Sequence, residues 1–193
     1  KVLWTRIFGS PEGEQRVQVV QVGPDGSLWA TGIFGGSIDF GDGPIAAPGG
    51  FSEQPFVVKL SPDGAVQWAR TFTLEGTGGT LQQLYLAVDG QGSAVLSGLF
   101  DKSLGMGGDT LLTGSGRFLV KLDAKGDVVW AKAPSPGNWL DHQMTVLGMP
   151  GGQTVLVGTY STPADFGGGP LSPEDGPVFF IELDPCGAPT YTE

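Results

Sequence analysis

A single cysteine, Cys186, rules out an internal disulfide and any cysteine-rich zinc site. It sits in the turn Asp184-Pro185-Cys186-Gly187, either as an inert turn residue or as one half of a bridge to a cysteine outside this chain. Histidine is equally scarce, with only His142. Ten basic residues against twenty acidic ones give a formal charge of −10, which repels nucleic-acid phosphates and anionic lipid surfaces. No stretch reaches the roughly 20 consecutive apolar residues of a membrane-spanning helix, and none has helical periodicity, so membrane insertion is not expected. Starting at Lys1 partway into a repeat, without an initiating Met or a secretory signal, the chain reads as a mature product or an excised piece.

Glycine and proline, by contrast, are abundant. The 193 residues include 34 glycines and 15 prolines, interspersed with apolar runs of roughly four to eight residues, the pattern of many short strands joined by turns. With 39% apolar residues and a mean hydropathy near zero, such a chain can bury a core.

A block of about 62 residues recurs three times. Its clearest copies are Phe56-Val57-Val58-Lys59-Leu60-Ser61-Pro62-Asp63-Gly64-Ala65-Val66-Gln67-Trp68-Ala69-Arg70 and Phe118-Leu119-Val120-Lys121-Leu122-Asp123-Ala124-Lys125-Gly126-Asp127-Val128-Val129-Trp130-Ala131-Lys132. A third copy, from Phe179 to Glu193, has Tyr191 in the tryptophan place, and a stub strand at 1–8 has Trp4 there. A period of this size marks stacked units that cannot each bury their own apolar face.

Each repeat divides into four strands. Strand A covers 15–22, 82–88 and 142–148; strand B 27–34, 93–100 and 153–160; strand C 55–60, 117–122 and 178–183; strand D 65–72, 127–133 and 188–193. Short turns join A to B and C to D, and each ends in a glycine where a tight hairpin needs a positive φ. The B–C and D–A connections are long, and in an antiparallel meander they collect at the end opposite the tight turns. The expectation is an all-β β-propeller of three four-stranded antiparallel blades, at about 15–72, 82–133 and 142–193, forming one module over 1–193. Strand B also carries a glycine two residues before an aromatic, as in Gly32-Ile33-Phe34 and Gly98-Leu99-Phe100, which suggests close approach of another backbone.

The run Lys-Leu, turn, Gly, then Trp-Ala-Arg/Lys, with Asp39-Phe40-Gly41 and Asp165-Phe166-Gly167, resembles the bacterial SBBP-type β-propeller repeats. That resemblance implies a secreted or cell-surface protein and leaves activity open, since propellers host many unrelated functions. The spacing Asp123 to Gly126 to Trp130 is also similar to the tryptophan-docking segment of quinoprotein propellers, which implies that each Trp wedges between adjacent blades.

Propellers usually close with about four to eight blades, so three blades and a stub make a partial ring. The exposed blade faces are expected to be covered by further blades of a parent protein or by a second copy giving a six-bladed ring. The third repeat inverts two charges: Lys59 and Lys121 give way to Glu182, and Arg70 and Lys132 to Glu193. This reads either as drift at exposed positions or as a blade meeting a basic edge such as Lys1 or Arg6 of another copy.

The long connections hold twelve of the twenty acids against one base, Lys102, so the net charge belongs to one face. Such a face suits a basic or cationic partner, or simply keeps the loops soluble. Asp39, Asp42, Asp109 and Asp165 lie in glycine-rich loops whose oxygens would suit calcium, but none has a full calcium-loop spacing, so no metal or cofactor is assigned. Trp139 with Phe51 would make an aromatic platform for a sugar or peptide, with Asp141 and His142 beside it as further ligand-binding candidates. An Asp-x-His catalytic arrangement needs a nucleophile or metal fixed in space, and no nucleophile-elbow motif or phosphate loop is present. The reading is a non-enzymatic binding or assembly module that recognises a protein or glycan through its long-loop face. The rivals are a purely structural self-assembling subunit and a quinoprotein-like or hydrolytic enzyme.

Overall fold

The computed structural model describes residues 2–11, 13–47, 53–75, 84–100, 102–106, 111–114, 116–134, 144–172, 174 and 178–190. Among them the fold is all β, built from antiparallel sheets with no helix.

Three four-stranded meanders carry the fold. In the first repeat, β1 (Gln15–Val22) and β2 (Leu28–Phe34) are followed by a small hairpin, β3 (Ser37–Asp39) with β4 (Pro44–Ala46), and then by β5 (Gln54–Leu60) and β6 (Val66–Thr71). The first repeat ends with β7 (Thr73–Glu75), and the second runs through β8 (Tyr85–Val88), β9 (Ala94–Phe100), the hairpin β10 (Ser103–Gly105) and β11 (Leu111–Thr113), β12 (Gly116–Leu122) and β13 (Val128–Lys132). The third comprises β14 (Met144–Gly148), β15 (Thr154–Thr159), the short pair β16 (Ala164–Asp165) and β17 (Pro170–Leu171), β18 (Val178–Leu183) and β19 (Pro189–Thr190). The sheet orders are β1-β2-β5-β6, β8-β9-β12-β13 and β14-β15-β18-β19, here called sheets 1, 2 and 3.

The tight turns are set by local chemistry. All six hairpin glycines, Gly26, Gly64, Gly92, Gly126, Gly152 and Gly187, have φ between 76° and 87°, the region that glycine reaches without strain. In several turns a side chain closes the loop: Ser27 N donates to Asp25 Oδ1, Ser93 N to Asp89 Oδ1 and Asp127 N to Asp123 Oδ1. Gly32 is required for a different reason. A Cβ there would lie 1.9 Å from the Arg16 carbonyl oxygen, beside the bulge between Val17 and Val19. The crowding arises within the sheet, not between blades as the sequence suggested.

The sheets bury their apolar faces against one another. The front face of sheet 1 (Trp29, Ile33, Val57) shares a core with the back face of sheet 2 (Leu86, Leu96, Phe118, Val120). The front face of sheet 2 (Val95, Leu119, Trp130) shares one with the back face of sheet 3 (Val146, Leu156, Phe179, Ile181). Strand β8 lies against both β1 and β14. The strand B aromatics Phe34, Phe100 and Tyr160 are buried as packing residues.

Two expectations need correction. Residues 2–8 of the stub strand expected at 1–8 form no strand: side-chain contacts such as Trp4 Nε1 to Pro62 O, not a backbone ladder, hold them to sheet 1. The long B–C connections are not plain loops: each holds a small hairpin, and β10 also pairs with β7, tying the end of the first repeat to the second. The three sheets do not close into a ring.

Candidate functional site

The aromatic platform predicted from sequence, Phe51 and Trp139 with Asp141 and His142, lies outside the described residues. Asp109, one of the calcium candidates, lies outside them too. Asp39 and Asp165 have turn-closing duties: Gly41 N and Gly43 N donate to Asp39 Oδ1, and Gly167 N and Gly169 N to Asp165 Oδ1. Among the described residues no three His, Cys, Asp or Glu side chains come together as a metal site.

What the structure builds instead, three times over, is a dock between consecutive repeats. Trp4 Nε1 donates to Pro62 O at 3.0 Å, Trp68 Nε1 to Ala124 O at 3.0 Å and Trp130 Nε1 to Pro185 O at 3.1 Å. In each case the indole reaches the C–D turn of the following sheet. The turn glycine makes room for it: a Cβ on Gly64, Gly126 or Gly187 would fall 2.7–2.9 Å from the docked ring. Thus the glycine that permits the hairpin φ also seats the neighbouring tryptophan. Two residues after the tryptophan a cation adds a second contact, Arg6 Nε donating to Gly64 O and Arg70 pairing with Asp127.

Strand C carries a second repeated device. Lys121 is 3% exposed, pairs with the equally buried Asp89 at 2.9 Å, and donates to Gly152 O in the A–B turn of sheet 3. Lys59 is also buried, 3.4 Å from Asp25 and over the ring of Trp29. The sequence alone reads these positions as exposed charges; in the structure both are interior, and Lys121 reaches the next sheet. The third repeat loses the whole arrangement, since Glu182 replaces the lysine while Met149 and Gly151 stand where the first two repeats place Asp89 and Asp25. The paired loss of lysine and acid is present in the sequence, visible when strand C is compared together with the A–B turn.

The outer faces of the stack are bare. On the front of sheet 3, Val178 is 56% exposed and Phe180 74%, with Glu182 exposed beside them. On the back of sheet 1, Val20 is 56% exposed, although its equivalents Leu86 and Val146 are each 4% exposed. An apolar groove of about 320 Å³ opens there, lined by Val17, Val20, Leu28, Ala30, Phe56 and Val58 among others. Its far rim is the N-terminal segment, where Phe8 and Trp4 pack against the sheet 1 core.

Among the described residues three ionisable groups are displaced from their ordinary values. Hydrogen bonds from Ser27 hold the Asp25 carboxyl low, with Lys59 adding to the effect, and a hydrogen bond from Ser61 does the same for Asp63. Burial lowers the Arg117 guanidinium.

No family model matches the chain, and no curated protein matches it. Among solved structures, it is similar to the crystal structure of an exotype rhamnogalacturonan lyase at 13% identity and a TM-score of 0.38, over 96% of this chain and 41% of that one. The chain therefore spans about two-fifths of that neighbour's length, and a likeness this distant carries no functional argument.

Proposed function

We propose that the chain is a non-enzymatic β-propeller segment of three blades that works by stacking: its two bare outer faces pack against sheets of the same kind, and its long-loop face is presented to a protein or glycan partner. The observation that carries this reading is the contrast between Phe180, 74% exposed, and its equivalents Val57 and Leu119, both 0% exposed because the next sheet covers them. Two internal interfaces of one type have outer counterparts left open, and exposed apolar surface of this kind marks an interaction face. The repeat resemblance supports placement in a secreted or surface-associated bacterial protein. Light scattering on the purified chain tests the stacking. A mass of two or more chains that falls to one on Phe180→Asp is expected, and a single-chain mass at every concentration would remove the basis for the proposal.

A further inference from the structure

Resting on that stacking reading, we infer that the covering partner is a second copy of this chain, whose N-terminal segment Val2–Phe8 displaces β19 from the outer edge of β18 and becomes the fourth strand of sheet 3. The sequence places a strand D in that segment. Val2, Trp4, Arg6 and Phe8 stand where the first repeat has Val66, Trp68, Arg70 and Phe72. Yet the segment has no ladder, and Val2, Leu3 and Ile7 are 77%, 85% and 90% exposed. It is already held in the position a strand D takes relative to the following sheet, by Trp4 on Pro62 and Arg6 on Gly64. Among the described residues no strand C pairs with it.

Sheet 3 shows the converse. Among the described residues its own fourth strand, β19, pairs Glu182 with Thr190 and Leu183 with Pro189. Pro189 occupies the place of Val66 and Val128 and has no N–H for a ladder, which marks a weak edge strand. The tryptophan and arginine places hold Tyr191 and Glu193. The chain thus carries a strand D sequence at Val2–Phe8 that makes no ladder, and a sheet whose own strand D begins with a proline.

The register follows from the first repeat, where Lys59 faces Trp68 and Val57 faces Arg70. Transferred to β18, Trp4 of the second copy faces Glu182 and Arg6 faces Phe180. Arg6 then lies diagonal to Glu182 on the same sheet face, within reach of two long side chains. Charge complementarity thus accounts for the glutamate where the other repeats have lysine. The partner's Trp4 keeps its dock on its own sheet 1, so the bare front of sheet 3 meets the apolar groove on the back of that sheet. A twofold axis repeats the contact and closes six sheets.

The test is a disulfide defined by the register. In a Cys186→Ser background, Arg6→Cys combined with Phe180→Cys should oxidise to a covalent two-chain species, while neither single substitution should. As a second reading, Glu182→Lys and Arg6→Glu should each lower the two-chain fraction at least tenfold, and the double charge swap should restore it. A two-chain mass without the cross-link, and without rescue by the swap, would overturn the strand exchange and leave face-to-face stacking standing. A single-chain mass throughout would overturn both.

Discussion

Leu119 and Phe180 occupy the same place in strand C of adjacent repeats, yet the first is fully buried and the second is 74% exposed. Their own sheets do not explain the difference, because each lies in a four-stranded antiparallel meander flanked by the same kinds of strand. The difference is the following sheet, which covers Leu119, whereas no sheet among the described residues covers Phe180. Burial in this protein is therefore a property of neighbours, as in repeat architectures where interface terms add to weak intrinsic ones. Even the buried charges obey this rule: Lys121 reaches into the next sheet's turn, while Glu182, with nothing over it, stays in solvent.

The strongest way to break the comparison is to remove one partner of the buried pair. Lys121→Ala leaves Asp89 without its cation in the interior, and the expected loss is about 3–5 kcal/mol in urea unfolding, against about 0.5 kcal/mol or less for Glu182→Ala. Leu119→Ala should cost about 2–5 kcal/mol, as for other buried leucines. Phe180→Ala, measured at concentrations where the chain is monomeric, should fall within about 0.5 kcal/mol of the parent.

A finer cut compares two turn glycines. Gly126 and Gly92 share a positive φ, but only Gly126 faces an indole, that of Trp68, while a Cβ on Gly92 meets nothing within 4 Å. Gly92→Ala should cost about 1–2 kcal/mol from the backbone alone. Gly126→Ala should cost more and also shift the Trp68 fluorescence. Equal losses without a spectral change would separate the turn from the dock.

The smallest effect concerns acid. Because the Asp25 carboxyl is held low in the folded protein, its contribution is complete above the ordinary aspartate pKa of about 3.9 and is lost as pH falls through the lowered folded value. Asp25→Asn should therefore flatten the low-pH fall of the urea midpoint slightly, with the larger part of that fall remaining.

Much of the fold was legible because the repeat aligns three copies of each element. Alternation, turn glycines and the Trp spacing placed strands B and C within a residue or two of β2, β5, β9, β12, β15 and β18. The small hairpins in the long connections escaped because their strands are only two or three residues long, too short for alternation to register. The buried state of Lys59 and Lys121 escaped because a lysine in an alternating strand reads as solvent-facing, and only its acid in a different turn reveals otherwise. The bare faces are legible as a count of repeats, but the edge at Pro189 acquires meaning only beside the unladdered segment at Val2–Phe8.

Hydrogen exchange resolved to single strands, recorded from dilute to concentrated protein, tests the central claim most directly. Protection in β12, whose sheet face is covered within the chain, should be independent of concentration, while protection in β18 should rise with concentration together with that of residues 2–8. Protection in β18 that does not change across the range, with residues 2–8 exchanging freely throughout, would contradict the account.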